Sequence, residues 1–297
     1  MSQRSRDGLA AALVAYTLWG FLPIYFKIVQ QVPPFEVLAH RIIWAVPFGL
    51  PIILLRRQWP EVVRALGTPR TLGWLTLSAL LIAVNWVVYI TAVQSEEIFQ
   101  ASLGYYINPL MYVAVGIAFF RERLRRPQIA AVLLAAVGVG VLTFSGGELP
   151  WIALTLATSF TIYGVIRSRV VIGGMPGLFI ETLVLLPLAF GYMVWLGVRG
   201  AAAFGPHDPG LSATLLLAGP FTVMPLLAFA LAARRLQLST IGVMQFISPT
   251  LQFGVGLAYG EPLSPAHRVC FVLIWAAVTV FSADAWRFTR SAPAARA

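Results

Sequence analysis

Two stretches of this chain repeat one another 140 residues apart, and each lies in a block with an odd number of apolar segments. The first reads Leu103-Gly104-Tyr105-Tyr106-Ile107-Asn108-Pro109-Leu110, followed by Gly116 and a Glu122-Arg123-Leu124 exit. The second reads Gly242-Val243-Met244-Gln245-Phe246-Ile247-Ser248-Pro249-Thr250, followed by Gly256 and a Glu261-Pro262-Leu263 exit. Proline to glycine is seven residues in both copies, and proline to glutamate is thirteen in one and twelve in the other. With five segments per block, the second copy must sit upside down relative to the first. Inverted repeats of this kind are a transporter design, in which one midplane site is exposed alternately by rocking two halves.

That the segments belong in a membrane follows from composition. Hydrophobic residues make up 59% of the chain and charged residues 11%, less than half the charge of an ordinary soluble domain. Spans of about 20 residues are needed to cross the hydrocarbon core. They are predicted near 8–28, 35–55, 72–93, 99–120, 128–145, 149–166, 177–198, 211–232, 239–259 and 265–286, with short loops between. The second, seventh and tenth carry ionisable groups. The expected fold is an all-α polytopic membrane protein of ten transmembrane helices. Residues 1–145 and 146–297 form its two five-helix repeats within one integral membrane domain.

The net charge of +10 invites a nucleic-acid reading, but the placement of the cations argues otherwise. With a cytoplasmic N-terminus, 17 of the 21 Lys and Arg residues fall on the inner side, among them Arg56, Arg57, Arg64, Arg121, Arg123, Arg125, Arg126, Arg234 and Arg235. Outer turns carry Glu96, Glu97, Glu148, Asp208 and Glu261 instead. This is the positive-inside pattern, and it places both termini in the cytoplasm. No nucleic acid is expected as a partner. The single cysteine, Cys270, rules out a disulfide framework and a cysteine-rich metal site. The first apolar stretch follows Arg4 and Arg6 as a signal peptide would, but it lacks a clear cleavage site and reads as a retained span.

The halves agree elsewhere. Trp19-Gly20 with Lys27 after it matches Tyr163-Gly164 with Arg167 after it. Pro34 followed by Glu36 and His40 matches Pro176 followed by Glu181. These strings carry a resemblance. Glu36-Val37-Leu38-Ala39-His40-Arg41-Ile42-Ile43-Trp44, Asn85-Trp86, Ala101-Ser102-Leu103-Gly104-Tyr105, Tyr163-Gly164-Val165-Ile166-Arg167, Glu181-Thr182 and Thr222-Val223-Met224-Pro225-Leu226 resemble the RarD-type branch of the EamA permeases, within the drug/metabolite transporter superfamily. The likeness covers roughly residues 8–286, and its His-Arg and Leu-Gly-Tyr strings are fairly specific. It implies ten helices, inverted five-helix repeats, a central cavity and a link to chloramphenicol sensitivity. Arg167-Ser168-Arg169 departs from the Arg-Lys expected there but stays cationic.

Pro109 and Pro249 fall near the middle of the fourth and ninth spans. A mid-helix proline removes a backbone hydrogen bond and frees a carbonyl one turn earlier. In hydrocarbon such a break needs protein or a wet cavity against it, so both are expected helix breaks lining a cavity, with a simple packing kink as the alternative. Asn85, Tyr105, Asn108, Tyr112, Gln245 and Gln252 form the candidate binding set, because amides and aromatics on these spans suit a small polar or amphipathic solute. Helix-to-helix hydrogen bonding is their other reading. Glu36, His40 and Arg41 form a candidate outer gate with Lys27, or a charge network locking helices. Glu181 and Arg167 are the inner counterparts, either a coupling site or a static ion pair.

No metal or cofactor is expected. A membrane enzyme is disfavoured, since no His-Glu-x-x-His helix, no Gly-x-Ser-x-Gly elbow and no acid-rich motif occurs. Without a Gly-x4-Gly-Lys-Ser/Thr loop, direct ATP drive is disfavoured too. The function expected is a secondary transporter of small organic solutes in the inner (plasma) membrane of a bacterium. The other readings are a lipid or lipid-precursor flippase and a non-transporting sensor. Its partners are a small-molecule solute, the lipid bilayer and a coupling ion, proton or sodium. It would act as a monomer or homodimer.

Overall fold

The computed structural model describes residues 3–120, 125–146, 149–236 and 238–291. The Glu122-Arg123-Leu124 exit, Arg121 and Glu148 lie outside them. The described residues are helical, with no strand among them. In chain order the helices are α1 (Gln3–Ile28), α2 (Pro34–Leu55), α3 (Trp59–Leu66), α4 (Pro69–Gln94), α5 (Ile98–Phe120), α6 (Arg126–Gly146), α7 (Trp151–Arg169), α8 (Gly174–Val198), α9 (Pro209–Leu216), α10 (Ala218–Ala233), α11 (Leu238–Met244), α12 (Ile247–Ala258) and α13 (Pro265–Ser291). Eight stretches are long and apolar enough to cross a bilayer: α1, α2, α4, α6, α8, the α9–α10 pair, the α11–α12 pair and α13. α5 and α7 add 23 and 19 residues.

Local chemistry sets the ends. α2, α4 and α9 begin on Pro34, Pro69 and Pro209, where the missing N–H has no helical partner to lose. Asp208 caps α9 by accepting from the Leu211 N–H at 2.8 Å. α8 and α12 stop on left-handed Gly200 and Gly260. α2 closes with two backbone bonds, from the Arg57 N–H to Leu54 and the Gln58 N–H to Ile53, and α4 with one from the Glu97 N–H to Ala92; the turning residues Arg57 and Glu96 hold positive φ (54° and 62°).

α3 is not in the sequence reading, which leaves residues 56–71 as a loop. Its eight residues are too short to span, and they bury Val62 and Ala65 while Arg64 faces out. The prolines also behave differently from one another. α5 runs without interruption through Pro109, because one missing N–H leaves the remaining ladder intact. The span of the repeated motif's other copy is interrupted four residues ahead of Pro249, at Gln245–Phe246, where α11 ends and α12 begins.

The main helix neighbours follow one rule. α1 packs on α10 and α12, while α7 packs on α4 and α5; α2 packs on α8 and α10, and α8 on α2 and α4. α6 lies along α13, and α5 meets α12. Exchanging the first five spans with the last five turns each of these contacts into another of the set or into itself. One end of the bundle gathers Arg56, Arg57, Arg64, Arg234 and Arg235, with Arg167 linked to them through Gly173 and Glu61. The other gathers Glu36, Glu96, Glu97 and Glu261 with Lys27 and Arg268. Gln94 ties that second end together by donating to the carbonyls of Val29 (3.4 Å) and Val32 (3.1 Å).

Candidate functional site

Four residues of the candidate binding set converge on one seam, where α4 and α5 meet α7. Asn85 Nδ2 donates to the Leu156 carbonyl (3.0 Å) and to Ser159 Oγ (2.9 Å), and its Oδ1 accepts from the Tyr105 hydroxyl (3.0 Å). Asn108 Oδ1 accepts from Thr161 at 2.8 Å, while its buried Nδ2 has no partner among the described residues. The Tyr112 hydroxyl donates to the Phe160 carbonyl at 3.3 Å.

The other two members belong to the span made by α11 and α12. Gln252 Nε2 donates to the Trp19 carbonyl (3.2 Å) and to Ser248 (3.3 Å), and its buried Oε1 is unpartnered. Gln245 is half-buried in the turn between α11 and α12. α5 links the two groups, since Tyr106 beside Tyr105 shares a 2.7 Å hydrogen bond with Thr250.

The candidate gates separate into distinct clusters. At the acidic end, Glu36 and His40 share a face of α2, with Nε2 3.9 Å from the carboxylate. His40 Nδ1 accepts from the Trp44 indole N–H at 3.0 Å, which leaves the imidazole proton on Nε2, towards Glu36. Glu36 also accepts from the Ala203 N–H at 2.7 Å, holding the loop that leads to α9. Lys27 pairs instead with the exposed Glu96 at 3.8 Å. Arg41, one residue beyond His40, turns about 100° round the helix and faces Phe26, Trp86 and Thr222, away from Glu36.

Glu261 closes the same end from the loop before α13. Its Oε1 accepts the Phe99 N–H at the start of α5 at 2.9 Å. Burial pushes this carboxyl up to about 7, against the pull of that bond and of the Ile98 N–H. At the arginine-rich end, the buried Glu181 carboxylate lies 3.6 Å from Arg167 Nε and accepts from Ser78 (2.6 Å) and Tyr163 (3.3 Å). Arg167 also donates to the Gly173 carbonyl at 3.3 Å.

Ser78, Thr161 and Thr222 complete these clusters and were not singled out for it from sequence; a lone hydroxyl inside an apolar span was the available signal. A concavity of about 620 Å³ opens at the arginine-rich end, lined by Arg56, Arg57, Arg64, Arg234 and Arg235 among others. None of the binding set lines it, so its size does not mark the chemistry.

The sequence model of the EamA-like transporter family matches residues 6–144. An uncharacterized transporter of Vibrio cholerae is 41% identical over 99% of this chain and 98% of its own. Protein RarD of Escherichia coli K12 is 41% identical over 96% of each. A chloramphenicol-sensitive protein RarD of Pseudomonas aeruginosa is 29% identical over 96% of this chain and 97% of its own. One solved crystal structure shares the fold, with a TM-score of 0.62 over 94% of this chain and 98% of that one, at 19% identity.

Proposed function

The chain belongs to the EamA-like transporter family, in the branch of the RarD proteins, and from that premise we propose a secondary transporter of small organic solutes that works by alternating access. It is a multi-pass membrane protein, which we place in the inner (plasma) membrane of a bacterium with both termini cytoplasmic. α5 and α7 join the eight apolar stretches to make ten spans. Residues 1–145 and 146–297 are then inverted repeats that rock against each other.

The observation carrying this reading is the exchange-symmetric set of helix neighbours. A bundle whose halves occupy equivalent surroundings has two nearly equivalent ways to pack, one open at each end. Each end has its own closure. The acidic end is held by Glu261 on α5, Lys27 with Glu96, and Glu36 on the Ala203 loop. The arginine-rich end is held by Arg167 with Glu181. Between them, Asn108 Nδ2 and Gln252 Oε1 supply one spare donor and one spare acceptor at the α5 and α12 levels. The interruption at Gln245–Phe246 turns α11 into α12 inside the span, with the Gln245 and Phe246 N–H groups held by the Ile241 and Val243 carbonyls. A proton or sodium ion is the proposed coupling ion, with Glu181 as the proton-exchanging group.

Counterflow in proteoliposomes tests this, using labelled amino acids, nucleosides and chloramphenicol with and without a pH gradient, beside Glu181→Gln. Flux of any one compound is expected, with gradient dependence lost in the variant. Absence of flux for every compound, from protein shown to be folded, would contradict the reading.

A further inference from the structure

Among the described residues, Arg41 is the buried arginine with no carboxylate beside it. Its residue is 4% exposed, and no acidic oxygen of the described residues lies within 4 Å, in contrast to Lys27 and Arg167. Its Nε donates to Thr222 Oγ1 at 3.1 Å. Its guanidinium carbon stands 4.3 Å from the centre of the Trp86 ring and 5.4 Å from that of Phe26. Cation–π contacts recover part of the lost hydration. A charge buried within a span and left without a counter-ion is costly, so such groups are normally functional.

The neighbouring unpartnered atoms identify what is missing. Arg41 Nη1, the Tyr25 hydroxyl and the Tyr89 hydroxyl are all buried with no hydrogen-bond partner among the described residues. Tyr25 and Tyr89, together with Tyr105, lie within electrostatic reach of the guanidinium. Each of the three orphaned atoms can donate, so their common partner is an acceptor, and the guanidinium selects an anionic one. A carboxylate matches the planar fork of Arg and has oxygen lone pairs left for both phenols. A phosphate dianion would call for a second cation, and Lys27 is committed to Glu96. The rings of Phe26, Trp86, Tyr89 and Tyr105 form the rest of the surroundings, with Phe26 and Tyr89 centred 5.8 Å apart and Tyr89 and Tyr105 5.6 Å apart. Such walls suit an apolar or aromatic body.

We propose that the solute is an amphipathic organic monocarboxylate, whose carboxylate is taken by Arg41 with Tyr25 and Tyr89 while its apolar part lies against Phe26 and Trp86. This rests on the transporter reading above and names its substrate class. In the transport cycle the solute supplies the counter-ion the helix lacks, so that binding removes a standing electrostatic penalty.

The test uses matched acid and amide pairs at pH 7.5: N-acetyltyrosine with N-acetyltyrosinamide, N-acetylleucine with its amide, and 4-hydroxyphenylacetate with its amide. Thermal stabilisation of the purified protein and counterflow in proteoliposomes are read for wild type, Arg41→Gln and Arg41→Lys, in chloride and in gluconate. Acids are expected to act at concentrations at least tenfold below their amides. Arg41→Gln should abolish that preference, and Arg41→Lys should keep the preference with weaker binding. If Arg41→Gln does not fold, the acid–amide comparison on wild type and Arg41→Lys still decides. Equal response to acids and amides, carriage of neutral solutes only, or an Arg41-dependent effect of chloride alone would overturn the carboxylate and leave the transporter standing. Carriage of nothing from the acid and amide pairs or from the neutral panel would overturn both.

Discussion

The Glu181 carboxylate lies 3.6 Å from Arg167 Nε across the α7–α8 seam, and it also accepts hydrogen bonds from Ser78 on α4 and Tyr163 on α7. One acid therefore joins three helices of the two halves. Removing one member of a buried pair leaves the other charge uncompensated and typically costs about 3–5 kcal/mol. Arg167 retains some exposure, so Glu181→Gln should fall at or below the lower end of that range. The double variant with Arg167→Gln should be more stable than the sum of the singles by at least ~1 kcal/mol. Thermal or denaturant unfolding of all four proteins gives this coupling directly.

Gly164 and Gly20 occupy equivalent places on α7 and α1, and each admits a side chain from the span that crosses it. A Cβ at Gly164 would collide with the Tyr112 ring and hydroxyl, and one at Gly20 would lie 2.6 Å from Leu251. Overpacking of this kind costs about 1–3 kcal/mol. Gly164→Ala and Gly20→Ala should each destabilise by that amount. Tyr112→Ala should relieve the first and Leu251→Ala the second, with neither rescuing the other. Melting temperatures of the crossed pairs test this.

Asn85 and Asn108 are both buried amides, yet their roles should separate. Asn85 is satisfied by Leu156, Ser159 and Tyr105, whereas Asn108 leaves its Nδ2 unused. At ~0.6 kcal/mol per interhelical bond in a membrane, Asn85→Ala should cost roughly 2 kcal/mol and Asn108→Ala about a third of that. Flux should respond in the opposite order, with Asn108→Ala reducing transport at least tenfold while keeping near-wild-type stability.

Glu261 sets a pH dependence with a definite sign. Its carboxyl moves from an ordinary 4.5 to about 7 in the folded chain because burial disfavours the charged form. Between those values the folded state holds a proton that the unfolded state has lost, so the contribution to stability falls as pH rises. It is fully present below about 4.5 and gone above about 7. Wild type should lose melting temperature relative to Glu261→Gln across that window, with the two profiles parallel above it.

How far these relationships could be read from the sequence depended on their range. Eight of the ten expected spans were legible as apolar stretches because hydropathy acts along the chain. α3 was not, because eight residues of amphipathic helix give no span-length signal. Pro109 and Pro249 looked alike as local motifs, but only the second accompanies an interruption, and that begins at Gln245 instead of the proline. His40 and Arg41 are adjacent in sequence and read as one gate. Helical geometry sends them to different neighbours, and the partners of Arg41 come from α1, α4, α5 and α10, which no spacing along α2 could indicate. Asn85, Tyr105, Asn108 and Tyr112 were collected by residue type and do share a seam. Gln252 was drawn from the same pattern and belongs to α12 instead.

The central claim, that one site is exposed alternately at two ends, is most directly tested by pulsed electron spin resonance distances in lipid. Label pairs at Leu66 and Val171 report the arginine-rich end, and pairs at Ile28 and Val198 report the acidic end. All four positions are exposed, and the native Cys270 is buried. Two distances are expected at each end, with the long population at one end matching the short population at the other and solute shifting both together. A single unchanging distance at each end, with and without a transported solute, would contradict alternating access.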